Sequence, residues 1–189
     1  MSSGDTENGP NSYDEINLVL PGFNSGWEHI MGPDSRDPQG LGNLVFFCGS
    51  HYADPRFSWF NPVGPTALVF LNSARLGVEY GNDLFVGDIN NGNLYRFKVN
   101  AARNGFDFTS PGLLDLVADS NAEFQEVLLG IGFGGITDVK MGPHGLLYIL
   151  SFGFGKIFVI SGQSTPVDFD GDRSTVVGSR MCFGLQTAG

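Results

Sequence analysis

The chain has 189 residues, of which 41% are hydrophobic and only 16% charged, with 28 Gly and 17 Phe. That mix favours an all-β fold of short strands and tight turns, because aromatics fit a pleated surface and Gly supplies positive φ. A net charge of −10 argues against nucleic acid as a partner, since phosphate recognition needs Lys and Arg to release counterions. It leaves room for bound cations, although acidity also simply keeps a surface soluble.

No run approaches the ~20 apolar residues of a membrane-spanning helix. The start, Met1-Ser2-Ser3-Gly4-Asp5, has neither the basic stretch nor the apolar core of a secretory signal. Residues 5–14 form a polar loop around Gly9-Pro10, flanked by carboxylates and amides. Such a loop can present backbone carbonyls and Asp14 to a hard cation; the plainer alternative is an ordinary connecting loop. Glu15–Val19 reads as a strand, Pro21-Gly22 as a turn and Gly26-Trp27 as the start of the next strand. Residues 33–53, rich in Gly, Pro and Asp, read as an excursion loop.

Strands follow at 64–69, at Asp83–Gly87 and, after an Asn90-Asn91-Gly92 turn, at Asn93–Phe97. Over 113–129 the apolar residues include i+3 and i+4 steps, which predicts a short helical insertion. Gly135–Lys140, Leu146–Leu150 and Lys156–Ile160 are the last clear strands, the final pair joined by a turn ending at Gly155. Two cysteines, Cys48 and Cys182, fit no metal-ligand spacing.

The strands repeat. An offset of 63 residues pairs Leu84 with Leu147, Gly92 with Gly155, and Leu94 with Ile157. The strand before each hairpin is offset by 71, pairing Thr66 with Thr137 and placing an insertion between strands. Three strands recurring about every 60 residues are the signature of propeller blades. With a partial unit at the start, the count reaches about two and a half blades, against the four to eight of a closed ring. Exposed sheet edges then call for self-association or for a missing N-terminal half.

Glu7-Asn8-Gly9-Pro10, Asp14-Glu15-Ile16-Asn17 and Gly22-Phe23-Asn24-Ser25-Gly26-Trp27 together resemble the glucose/sorbosone dehydrogenase family. Gly64-Pro65-Thr66-Ala67, Asn82–Gly87 with Leu94–Phe97, and Ile136–Val139 with Gly142–Tyr148 continue the likeness in order. These are soluble sugar dehydrogenases that use pyrroloquinoline quinone (PQQ) and calcium on a six-bladed propeller. The resemblance implies that residues 1–162 are the later part of such a propeller. It puts the carbonyls of Gly9 and Pro10 on the calcium that holds the quinone, Asn8 at the cofactor, and Asp14 as the acidic residue of that loop. In a full-length context the substrate is an aldose, whose hydride passes to the quinone while a His of the first half takes the proton.

The departures matter equally. The family's later-half Lys falls in the blade whose turn here is Asn90-Asn91-Gly92, and its arginines precede a strand that here begins Gly135-Ile136-Thr137. The cations that would hold the cofactor's carboxylates are therefore missing, and His29, His51 and His144 read as surface or turn residues. The expectation is a segment inactive by itself. A non-catalytic binding propeller, stabilised by calcium, is the alternative. Family members are typically extracytoplasmic.

Residues 163–189 form a short tail. Asp168, Asp170 and Asp172 stand at positions 1, 3 and 5 of a loop, as in calcium loops, and resemble the start of an FG-GAP repeat. Val176 stands where such loops place an acid, so a solvated turn remains open. Residues 178–189 show no strand pattern and are expected to fray.

Overall fold

The computed structural model describes residues 3–37, 40–162, 173–178 and 181–187. In chain order the strands are β1 (Gly4–Glu7), β2 (Asp14–Leu18), β3 (Phe23–Asn24), β4 (His51–Tyr52), β5 (Phe57–Trp59), β6 (Pro65–Phe70), β7 (Leu84–Asp88) and β8 (Leu94–Phe97). They continue with β9 (Val117–Ala118), β10 (Leu128–Gly130), β11 (Ile136–Met141), β12 (Leu147–Ser151), β13 (Lys156–Ser161), β14 (Arg173–Gly178) and β15 (Met181–Thr187). The helices among the described residues are short 3₁₀ turns, and none is long and apolar enough to cross a membrane. The chain forms two compact units, Met1–Pro65 with Val99–Glu126, and Thr66–Lys98 with Val127–Gly189.

The second unit contains the repeat. One propeller-type blade has the strand order β10-β8-β7-β6, and the next runs β11-β12-β13-β15-β14. Every residue of β7 is buried, and Phe85, Leu94, Ile136, Leu147, Ile149 and Phe158 share one apolar core. Phe133 closes on Phe158 edge-to-face at 5.5 Å.

The repeat is also a repeat of hydrogen bonds, with donors 71 residues apart in the first strands and acceptors 63 apart in the hairpins. The Thr66 hydroxyl donates to the Gly87 carbonyl at 3.2 Å, and the Thr137 hydroxyl donates to the Leu150 carbonyl at 3.3 Å. At the hairpin turns, Asp88 accepts the N–H groups of Asn91 and Gly92 at 2.7 and 2.8 Å. Ser151, at the equivalent position, accepts the Phe154 N–H at 3.3 Å. A short polar side chain that ends a strand and bonds the turn ahead fixes hairpin length, and hence register.

The predicted helix over 113–129 does not form. This stretch holds 3₁₀ turns at Pro111–Leu113 and Glu123–Glu126, with β9 and β10 between and after them. Leu116 has φ of +67°, a left-handed conformation that stops a helix. Leu113 and Val117 are buried while Leu114 is 68% exposed, so the apolar residues serve turns and strands. Val117 pairs in parallel with Ser58, and Leu128 pairs antiparallel with Tyr95. The expected frayed end is likewise replaced by strands: β14 and β15 form an antiparallel hairpin, and β15 adds to β13.

In the first unit the sheet order is β1-β2-β5-β9. Phe57 and Trp59 are buried in it, with ring centroids 4.9 Å apart edge-to-face. The excursion loop carries 3₁₀ turns at Asp34–Arg36 and Leu41–Asn43 and ends in β4. Arg36 forks onto Asp115 and Asp119, fastening that loop to the segment before and after β9.

The two hairpin glycines separate backbone strain from crowding. Gly92 and Gly155 have φ of +66° and +60°. A Cβ on Gly92 would lie 2.6 Å from the amide nitrogens of both Gly134 and Gly135, whereas one on Gly155 meets open space. Gly155→Ala should cost about 1 kcal/mol, the left-handed penalty alone. Gly92→Ala should cost more, about 3 kcal/mol, because backbone must move as well. Urea denaturation of the two variants checks the order.

Candidate functional site

The loop between β1 and β2 is organised by Asp14, which is fully buried at the first position of β2. One carboxylate oxygen accepts the Gly9 N–H at 2.9 Å. The other accepts the Val63 and Gly64 N–H groups, each at 2.7 Å. Both oxygens are thus committed to backbone, and Asp14 acts as a clamp. Gly9 is required where it stands, because a Cβ there would lie 2.0 Å from the Ser12 carbonyl oxygen. Asn8 and Pro10 lie on the same loop, and the Asn8 carbonyl accepts the Trp27 indole N–H at 3.3 Å. The fold therefore gathers Asn8, Gly9 and Pro10 on one loop with Asp14 pinning it. The tail loop bearing Asp168, Asp170 and Asp172 lies outside the described residues.

A carboxyl pair escaped the sequence reading. Glu7 on β1 stands directly opposite Glu15 on β2. Glu15 is fully buried; one of its oxygens accepts the Gly32 N–H at 2.7 Å and the other accepts the Asn17 amide at 3.1 Å. Glu7 accepts the Ser25 hydroxyl at 2.7 Å. Burial pushes the Glu15 carboxyl up to about 8, and Glu7 adds to this; burial also raises Glu7. Each carboxyl therefore acts on the other, and at neutral pH Glu15 keeps its proton.

The residues present do not fit PQQ. The ionisable groups of this loop and its flanks, Asp5, Glu7, Asp14 and Glu15, are all acidic, and a tricarboxylate needs charge-assisted donors. Two arginines are committed elsewhere: Arg36 to Asp115 and Asp119, and Arg96 to Asp83 with its guanidinium 4.1 Å over the Tyr80 ring. The Asn90–Gly92 turn is held by Asp88, with no cationic residue in it. His29, His51 and His144 are all exposed. Among the described residues no group of three His, Cys, Asp or Glu is arranged to hold a metal.

The raised Glu15 pKa makes a pH prediction. The group holds its proton in the folded chain but not in the unfolded one between about pH 4.5 and 8. Its contribution is therefore complete below pH 4.5 and is lost as pH rises through 8, on the order of a few kcal/mol. Glu15→Gln keeps the acceptor for Gly32 and cannot ionise. Unfolding free energies measured from pH 5 to about 8.5 should fall less steeply in the variant, which should be the more stable protein at the upper end.

A family profile described as Glucose / Sorbosone dehydrogenase matches residues 4–158. Among solved structures, a glucose dehydrogenase is 21% identical, with a TM-score of 0.54 over 98% of this chain and 40% of its own. A putative oxidoreductase (glucose dehydrogenase) from Thermus thermophilus is 22% identical, with a TM-score of 0.51 over 98% of this chain and 41% of its own. The soluble aldose sugar dehydrogenase of Escherichia coli, in its apo form, is 22% identical, with a TM-score of 0.50 over 98% of this chain and 40% of its own. No curated protein matches significantly. The chain spans about two fifths of the length of these structures, which share its propeller-type fold. By the profile match across most of its length, the chain belongs to the glucose/sorbosone dehydrogenase family.

Proposed function

We propose that this chain is the later-half scaffold of an aldose dehydrogenase-type propeller and does not oxidise sugar by itself. One observation carries the reading: the family match runs across residues 4–158, yet the loop bearing Gly9 and Pro10 is flanked by carboxylates. Hydride transfer to a quinone needs a cationic seat for the cofactor and a base within reach of the sugar hydroxyl. Neither stands at that loop among the described residues. In a full-length context the aldose, PQQ and calcium would be held jointly with other blades.

The chain, incubated with PQQ, CaCl2 and glucose, should reduce a redox dye no faster than cofactor and sugar alone. A rate that saturates with glucose and scales with protein would overturn the proposal.

The acidic loop favours a second reading, a non-catalytic binding propeller stabilised by calcium. Both readings leave sheet edges to be covered by further blades or by a second copy. Light scattering of the purified chain should show a dimer or larger species. A folded monomer would contradict this.

A further inference from the structure

The chain contains three Asn-Gly pairs, Asn8-Gly9, Asn91-Gly92 and Asn104-Gly105. Such a pair can close a succinimide ring on itself, because glycine has no Cβ to keep its backbone nitrogen from the preceding side chain. The nitrogen attacks the Asn side-chain carbonyl carbon as its proton leaves, so its reactivity depends on what the N–H is bonded to. All three asparagines are exposed, so access to water does not distinguish them. Hydrogen bonding does.

The Gly9 N–H donates to a carboxylate oxygen of Asp14 at 2.9 Å, and the Gly92 N–H to one of Asp88 at 2.8 Å. Both aspartates are fully buried. Before either nitrogen can attack, a charge-assisted bond must break and an amide anion must form against a carboxylate. The Gly105 N–H has no such partner among the described residues. The Gly105 carbonyl accepts the Asn100 N–H at 3.0 Å, and Phe106 pairs with Val99, so the peptide sits in a short turn. Asn100 also prepares the electrophile. Its side-chain amide donates to Asn104 Oδ1 at 2.9 Å, while its own Oδ1 accepts the Asn104 N–H at 3.1 Å. Negative charge develops on the Asn104 Oδ1 as the nitrogen adds, and a donor already in place stabilises it.

We propose that Asn104-Gly105 is a site of spontaneous deamidation, selected from the three pairs by the fold, with water as the co-reactant. The Gly105 nitrogen bonds to Asn104 Cγ and gives up its proton, and the Cγ–Nδ2 bond breaks to release ammonia. Water then opens the succinimide at either carbonyl, leaving aspartate or isoaspartate. Each event exchanges a neutral amide for a carboxylate, and isoaspartate routes the backbone through an extra methylene. Phe106 follows directly and is buried. The longer backbone therefore loosens its pairing with Val99, where the Val99–Glu126 segment begins.

Incubation of the intact folded chain at mildly alkaline pH, followed by peptic mapping with mass spectrometry, tests the site. Aspartate and isoaspartate should accumulate at Asn104 severalfold faster than at Asn8 or Asn91, and in concentrated urea the three rates should converge. In Gly105→Ala the new Cβ would lie 3.4 Å from Asn100 Nδ2, an ordinary contact, and conversion at Asn104 should slow severalfold. Asn100→Asp keeps the acceptor for the Asn104 N–H, replaces the donor with a carboxylate, and should slow conversion as well. Equal rates at the three sites in the folded chain overturn the proposal. So does an excess at Asn104 that persists in urea, which would make it a property of local sequence and not of the fold.

Discussion

Two adjacent carboxylates at the start of β2 must be buried, and a buried carboxylate is tolerable only when it is hydrogen-bonded or neutralised. Asp14 and Glu15 alternate across the strand, so they face opposite sides of the sheet. Asp14 meets the requirement by accepting three backbone N–H groups, from residues 9, 63 and 64. Glu15 does so through Gly32, Asn17 and the pair with Glu7. The bonds of these two side chains tie β2 to segments before it, after it and far along the chain. The course of the first unit therefore follows from where these carboxylates can be satisfied, with Phe57 and Trp59 filling the apolar remainder.

The second unit solves a simpler problem twice. Each blade needs a hairpin of fixed length and a first strand held to the second. Asp88 and Ser151 supply the former and Thr66 and Thr137 the latter, at repeat-related positions. The role is kept while the residue changes: a carboxylate in one blade becomes a hydroxyl in the next. Asp88 also accepts the Tyr95 hydroxyl at 2.7 Å. The residue at the corresponding place in the next blade is Phe158, with no hydroxyl to satisfy.

How much of this could be read from residues alone depended on range. The hairpins were legible because β7–β8 and β12–β13 are local, with alternation and a glycine turn written in adjacent residues. The failure at 113–129 came from Leu116, whose positive φ no propensity rule assigns to a leucine. The residues of the Gly9-Pro10 loop were legible as a motif, but the role of Asp14 was not. Its partners at Val63 and Gly64 lie some fifty residues away, so the clamp is visible only once the fold is known. The same holds for Glu7 and Glu15. Their separation fits no sequence pattern, and only the β1–β2 register sets them face to face.

The parallel pairing of β5 with β9 has a consequence for how the chain acquires its shape. Parallel neighbours require a crossover, and here residues 60–116 intervene, including the whole β6–β7–β8 meander. That meander is made of short-range contacts and is available early, whereas the β5–β9 register carries a large loop-closure cost. During synthesis the first sheet waits, with Ser58 and Trp59 exposed along an open edge, until β9 has emerged. The segment Val99–Glu126 is thus less an insertion than a late-arriving strap, and Arg36 with its two aspartates is the buckle.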